Sequence, residues 1–393
     1  MKNKEKRLFG IFLLIICILL MGTMSIFGQE DIEVDEWRIP FLNSITGPIA
    51  SIGEYMSWSA RRAAEEINAA GGIRGKPIKI EVIDTGISKD KAMEEMAKLV
   101  DKALVVMGPV PEACIMAAVP IAVNAGLFSM VSSTSYEYAV EYFPWTLSWY
   151  TVTEDKLPPI TATWARLHPD IKTVVQFVEN WAAWPPMAEA HATGLELAGV
   201  KMLSQVDVPL DAIMFEPLVL KALAQKPDGI ILTCNSEKAA KIIIELAKKG
   251  WKDKAKILVF SSADDTALYT IGGEYLEGIS IYNYIDLNLN DSRWQAFRDA
   301  YKKDHGGIEP ASLSTNYYDS VYMIKEAIEK TEITGDPNNL VEERIKIRDY
   351  CRNVKGFKGI QLTWDMTEGV PTGKGTFLFE IKNGEKVFRA MAE

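Results

Sequence analysis

Short apolar runs alternate with stretches of helical period through almost the whole chain. The run 39–45 reads as a strand that ends in a Ser/Thr/Gly/Pro loop reaching Gly53. Met56, Ala60, Ala63 and Ile67 then recur at helical spacing, which puts them on one face. Gly71 and Gly72 stop this helix, and Pro77 opens an alternating run from Ile78 to Asp84. Strand, loop, helix and strand in that order form the unit from which parallel sheets are built. The loop lies where backbone N–H groups and small hydroxyls converge, the usual place for a ligand in such sheets.

The alternation continues. A helix is expected over 88–102, with Ser88 as its N-cap and Met93, Met96, Ala97 and Val100 as its buried stripe. Strands are expected at 103–107 and 127–131, with a helix through Ala125 between them. Trp145 to Tyr150 reads as extended chain crossing to a second region. The series restarts at Glu154, with strands at 173–178, 201–206, 229–233 and 257–260 separated by helices. These strands are short and apolar, as in a parallel sheet covered on both faces. Residues 277–286 lead back to helices over 292–305, 314–331 and 339–353. A hairpin, 375–381 with 386–390, follows around Asn383-Gly384, a pair suited to a type I′ turn.

Residues 1–28 stand apart. Lys2, Lys4, Lys6 and Arg7 precede an uncharged run from Leu8 to Phe27, with Ser25 and Gly28 as small residues near a cut. A cleaved signal peptide is expected, and an uncleaved anchor is the competing reading. Cys17 lies inside the apolar run behind Ile16, which does not suit lipid attachment. The remaining stretch of about 365 residues exceeds one compact core and suits two domains. Without residues 1–28, which carry net +3, the formal charge of −10 becomes −13. An acidic exported chain with no basic stripe is not expected to bind nucleic acid. Cys114, Cys234 and Cys351 are too few and too widely spaced for a disulfide framework and are expected as buried free thiols.

Catalytic chemistry has little support. His168, His191 and His305 are scattered, with no nucleophile elbow, metalloprotease motif or Walker loop. Gly71–Lys76 is no phosphate loop, because Pro77 stands where Ser or Thr is needed. No enzyme, metal or cofactor is expected.

Ser44-Ile-Thr-Gly-Pro48, Gly53, Glu66-Ile-Asn-Ala-Ala-Gly-Gly72 and Ile73-Arg-Gly75 closely resemble the N-terminal segment of type I periplasmic binding proteins. The likeness is to the branched-chain amino-acid (Leu/Ile/Val) branch of ABC importers. It covers nearly the whole exported chain, with its motifs concentrated in residues 38–135. It implies an α/β fold of two Rossmann-like lobes with parallel sheets, joined by a three-stranded hinge. Lobe 1 would be 37–153 plus 284–355, and lobe 2 would be 154–283 plus 356–393. The implied protein is a monomer in the periplasm or at the outer face of the membrane. It captures a small ligand by hinge closure and delivers it to an ABC permease. The ligand class is an amino acid or a related small carboxylate or amide, aromatic ones included. A ligand-sensing module for a membrane receptor or kinase is the alternative. The family's first-lobe disulfide has no counterpart here.

The resemblance also points to site residues. In the first loop these are Ser44 and Ile52, the latter either facing the ligand or packed inside the lobe. In the second they are Glu112 and Ala113, where the family usually offers small hydroxyls. A carboxylate there repels a ligand carboxylate. Either Glu112 therefore turns to solvent at its helix start, or the ligand differs and presents a cation or hydroxyls. In the third, Ser133, Thr134 and Ser135 would hold a carboxylate with backbone N–H groups, with plain capping as the alternative. In lobe 2, Trp181 and Trp184 either line the cleft or pack the core. Asn235 lies on a further strand-end loop, and Asp264 serves either as partner of a ligand ammonium or as a helix cap.

Overall fold

A computed structural model describes residues 34–133, 144–149, 153–181, 184–367, 370–371 and 375–392. The N-terminal segment 1–28 lies outside them. The first sheet contains β1 (Trp37–Asn43), β2 (Ile78–Asp84), β3 (Val105–Met107), β4 (Phe128–Val131) and β5 (Thr146–Ser148). All its pairs are parallel, in the order β2-β1-β3-β4-β5. The helices α1 (Ala50–Ala69), α2 (Lys89–Leu99) and α3 (Glu112–Asn124) connect its strands.

α1 buries Met56, Ala60, Ala63 and Ile67, as its spacing predicts. Gly71 and Gly72 follow it with positive φ. Ser88 caps α2 by accepting from the Lys91 N–H. Two expectations are corrected. The buried stripe of α2 is Ala92, Met96 and Leu99, while Met93 and Ala97 are exposed. The helix turns this face to Leu42 and Val106, and sequence spacing alone did not choose between two adjacent stripes. Trp145–Tyr150 is also more than a crossing, because Thr146–Ser148 pairs with β4 as a fifth strand.

The second sheet contains β6 (Thr173–Glu179), β7 (Lys201–Val208), β8 (Gly229–Thr233), β9 (Ile257–Val259) and β10 (Ser280–Asn283). These five are parallel neighbours in the order β7-β6-β8-β9-β10. Around them lie α4 (Thr153–Leu167), α5 (Pro185–Leu197), α6 (Glu216–Leu223), α7 (Ser236–Lys248) and α8 (Thr266–Gly272).

Between β10 and the next strand of this sheet come α9 (Ser292–Asp304), α10 (Ser314–Lys330) and α11 (Leu340–Asn353), then two short hairpins, β11 (Phe357–Lys358) with β12 (Thr363–Trp364) and β13 (Met366–Thr367) with β14 (Val370–Pro371). These helices pack on the first sheet. The Tyr318 and Tyr322 hydroxyls donate to Glu66 of α1 at 2.5 and 3.1 Å. The Arg344 guanidinium donates to the carbonyls of Val100 and Ala103 at the end of α2. β15 (Thr376–Lys382) and β16 (Glu385–Ala392) then return as an antiparallel hairpin beside β10. Asn383 and Gly384 both have positive φ, as a type I′ turn requires. Cys114, Cys234 and Cys351 are buried free thiols.

Candidate functional site

The strand order of each sheet reverses once. In the first sheet the reversal falls between β1 and β3, in the second between β6 and β8. Ligands of open α/β sheets bind outside the carboxyl ends of the strands at such points. The two carboxyl-end rims face one another here. Ser51 Oγ of α1 donates to Asp265 Oδ2, beyond β9, at 2.9 Å. Ser236 Oγ, at the start of α7, donates to the same oxygen at 3.0 Å. Nearby, Ser312 Oγ donates to the Ser261 carbonyl at 2.9 Å.

At the first rim, neutral groups around Asn43 and Ser44 tie the loops, while Asp84 accepts from the Ile45 N–H at 3.0 Å and from Thr46 Oγ1 at 2.7 Å. Asn43 Nδ2 donates to the Gly53 carbonyl at 2.8 Å and to Ser57 Oγ at 2.9 Å. Ser44 Oγ donates to the Val110 carbonyl at 2.8 Å and accepts from the Ile87 N–H at 3.0 Å. It also lies 3.0 Å from Thr85 Oγ1. The hydroxyl of Ser44 thus joins three loops. Gly53 permits the approach, since a Cβ there would fall 2.1 Å from the Ser44 carbonyl oxygen. Gly108 does the same between β1 and β3, where a Cβ would fall 2.2 Å from the Leu42 oxygen.

Ile52 packs in the core, 8 % exposed. Glu112 opens α3 and is only 5 % exposed, so it does not turn to solvent. Ser133 Oγ donates to Glu112 Oε1 at 2.6 Å, and Ser133 N–H donates to Ser148 Oγ at 3.1 Å. Ala113 beside it is half-buried. Thr134 and Ser135 lie outside the described residues.

The second rim is tied by charge. Glu179 ends β6, fully buried. It accepts from Asn235 N–H at 2.9 Å, from Asn235 Nδ2 at 3.1 Å and from the Lys238 ammonium. Asn235 Oδ1 caps α7 by accepting from the Lys238 N–H. Asp264 already has an ammonium partner. Lys386 of β16 donates to it at 2.6 Å, joined by Asn283 Nδ2 at 2.5 Å and the Tyr269 hydroxyl at 2.9 Å. Trp184 is buried, and its ring lies 6.2 Å from Trp181 and 5.8 Å from Phe260. Trp181 is half-buried, and its indole N–H has no partner.

The sequence offered Asp265 beside Asp264, as ammonium partner or helix cap, but did not single out Ser51, Ser236 or Lys386. The Asp264-Asp265 pair was the available signal, and Asp265 does cap α8 through the Ala267 N–H at 2.8 Å. Burial pushes the Asp265 carboxyl up to about 6. Ser261, Ser314 and Thr315, close to the Ser312–Ser261 bond, have buried hydroxyls without a partner. Among the described residues no group of His, Cys, Asp and Glu is arranged to hold a metal. No helix among them is long and apolar enough to cross a membrane.

Two such sheets, with their rims apposed, match the type I periplasmic binding protein fold. The chain belongs to the periplasmic binding protein family, whose model matches residues 36–385. It is a binding protein rather than an enzyme. Leu/Ile/Val-binding protein homolog 7 of Brucella melitensis is 23 % identical over 307 residues, 74 % of this chain and 76 % of that one. The structure of a leucine binding protein, LivK, from Thermotoga maritima matches with TM-score 0.78 at 22 % identity, covering 91 % of this chain and 98 % of that one. A solute-binding protein of an ABC transporter from R. palustris, in complex with benzoate, also matches with TM-score 0.78. It is 17 % identical, and the match covers 91 % of this chain and 96 % of that one.

Proposed function

We propose that the chain is the extracytoplasmic solute-binding component of an ABC importer, a monomer that traps a small ligand between two lobes and delivers it to a permease. The observation that carries this reading is the apposition of the two rims at Asp265. Lobe 1 is 37–153 plus 284–355, and lobe 2 is 154–283 plus 356–393, so the chain crosses between them three times. The crossings act as a hinge. The open form exposes both rims, and a ligand that binds the closed form better drives closure. Residues 1–28 direct export.

The ligand is a small amino acid, carboxylate or amide, with an aromatic group favoured. Support comes from the cluster of Trp181, Trp184 and Phe260. The buried hydroxyls of Ser261, Ser314 and Thr315 supply donors for its polar end. The named relatives are a Leu/Ile/Val-binding protein homolog, a leucine binding protein and a solute-binding protein in complex with benzoate, which brackets this class. Micromolar binding is about −8 kcal/mol, within reach of a few buried hydrogen bonds and one stacked ring.

A thermal-shift screen of amino acids, aromatic acids, amides and short carboxylates tests the reading, because a ligand of the native state raises Tm by linkage. A hit is expected to weaken in Thr134→Ala or Ser135→Ala with folding intact. Unchanged affinity in both variants removes the third loop as a carboxylate site. Stimulation of a reconstituted permease's ATPase by the loaded protein separates transport from sensing.

A further inference from the structure

Asp265 is the acidic group that joins the rims. Its Oδ2 receives Ser51 Oγ from α1 at 2.9 Å and Ser236 Oγ from α7 at 3.0 Å, and its Oδ1 receives the Ala267 N–H at 2.8 Å. Of these three bonds, opening the cleft breaks only the one from Ser51, because Ser236 and Ala267 belong to the same sheet's elements as Asp265. The acceptor thus stays aimed at α1 when the rims part. We propose that Ser51, Asp265 and Ser236 form an interlobe latch that sets how far the unliganded protein is closed, an inference resting on the clamshell proposed above.

The latch carries a cost that depends on pH. Asp265 is 1 % exposed, and its partners, the Ser51 and Ser236 hydroxyls and the Ala267 and Leu268 N–H groups, are neutral. The surrounding charges are engaged elsewhere. On its own loop, Asp264 is held by Lys386 of β16 and the Tyr269 hydroxyl of α8. On α7, Lys238 is held by Glu179, and Glu237 is exposed and paired with Lys241. On α1, Glu54 pairs with His305, next to α9. Tyr269 and Tyr301 are pushed well above their ordinary range, chiefly by burial, and stay neutral.

Closing therefore desolvates a carboxylate with no cation to offset it, which raises its pKa from 3.8 to about 6. An exposed carboxylate in the open form titrates near 4. Between those values the closed form binds the extra proton, so acidification favours closure. Above pH 7 the group is ionised in both forms and the closed form bears the full burial cost. From pH 7.5 to pH 5 the closed-to-open ratio rises roughly tenfold.

Double electron–electron resonance on the ligand-free full chain tests this, with spin labels at Glu65→Cys on α1 and Lys221→Cys on α6, both exposed positions. The short-distance population should grow as pH falls from 7.5 to 5. Ser51→Ala should shift the distribution to long distances at every pH, with unchanged circular dichroism. Asp265→Asn should remove the pH dependence and keep the short distance. A distribution that responds neither to pH nor to Ser51→Ala overturns the latch. If that same distribution still contracts when a thermal-shift hit is added, the clamshell stands without the latch. If it contracts under no condition, both fall.

Discussion

At the first rim, Asn43, Ser44 and Thr85 knit three loops with neutral hydrogen bonds; at the second, Glu179 with Lys238 and Asp264 with Lys386 do so with ions. Neutral bonds contribute about 1 kcal/mol each net. A buried ion pair adds little over an apolar substitute, yet losing one partner strands a charge. These two pairs therefore tolerate no partial loss, and Glu179 and Asp264 are already matched. The contrast explains why Asp264, a natural choice for a ligand ammonium, is a poor one here.

The sharpest way to break this comparison is Lys386→Met. It leaves Asp264 buried without its ammonium and should cost about 3–5 kcal/mol in urea unfolding. Adding Asp264→Asn should return most of that. A loss below about 1 kcal/mol for the single variant would mean the second rim is not held by charge. Asn43→Ala at the first rim should cost less, about 2 kcal/mol, since it removes neutral bonds to Gly53 and Ser57. If it proves the costlier of the two, the contrast is inverted.

A pH series probes the second sheet at a different depth. His191 is fully buried, with Nδ1 at 2.7 Å from Thr161 Oγ1 and Nε2 at 3.4 Å from the Tyr282 hydroxyl. Burial lowers its pKa from 6.5 to about 3. The folded form refuses a proton that the unfolded form accepts, so this contribution is intact above pH 6.5 and lost as pH falls toward 3. Between pH 7.5 and 5 the wild type should lose about 2 kcal/mol relative to His191→Gln. Equal slopes in the two proteins would show that His191 is not the group concerned. The smallest effect is expected for Ser133→Ala, about 1.5 kcal/mol for a bond to the buried Glu112 carboxylate, read from a urea midpoint.

Features set by near neighbours in the chain were legible in the sequence. The face of α1, the Ser88 cap and the Asn383-Gly384 turn each depend on a few adjacent residues. Pairing across space was not. β5 is a three-residue strand defined only by its parallel neighbour β4. The α2 stripe needed the position of Leu42 and Val106. The candidate loops could be placed because strand ends are predictable. Their partners were not, because Asp264 meets a lysine 122 residues away and Ser51 meets Asp265 across the cleft.

The hairpin β15–β16 joins β10 only after the chain has built α9, α10 and α11 onto the other sheet. Neither half can be finished while its counterpart is missing. Such interleaving welds the two sheets into one folding unit, so loosening one side loosens the other. It also implies a slow search, since the closing contacts are among the most distant in sequence, and a single melting event where separable modules would give two.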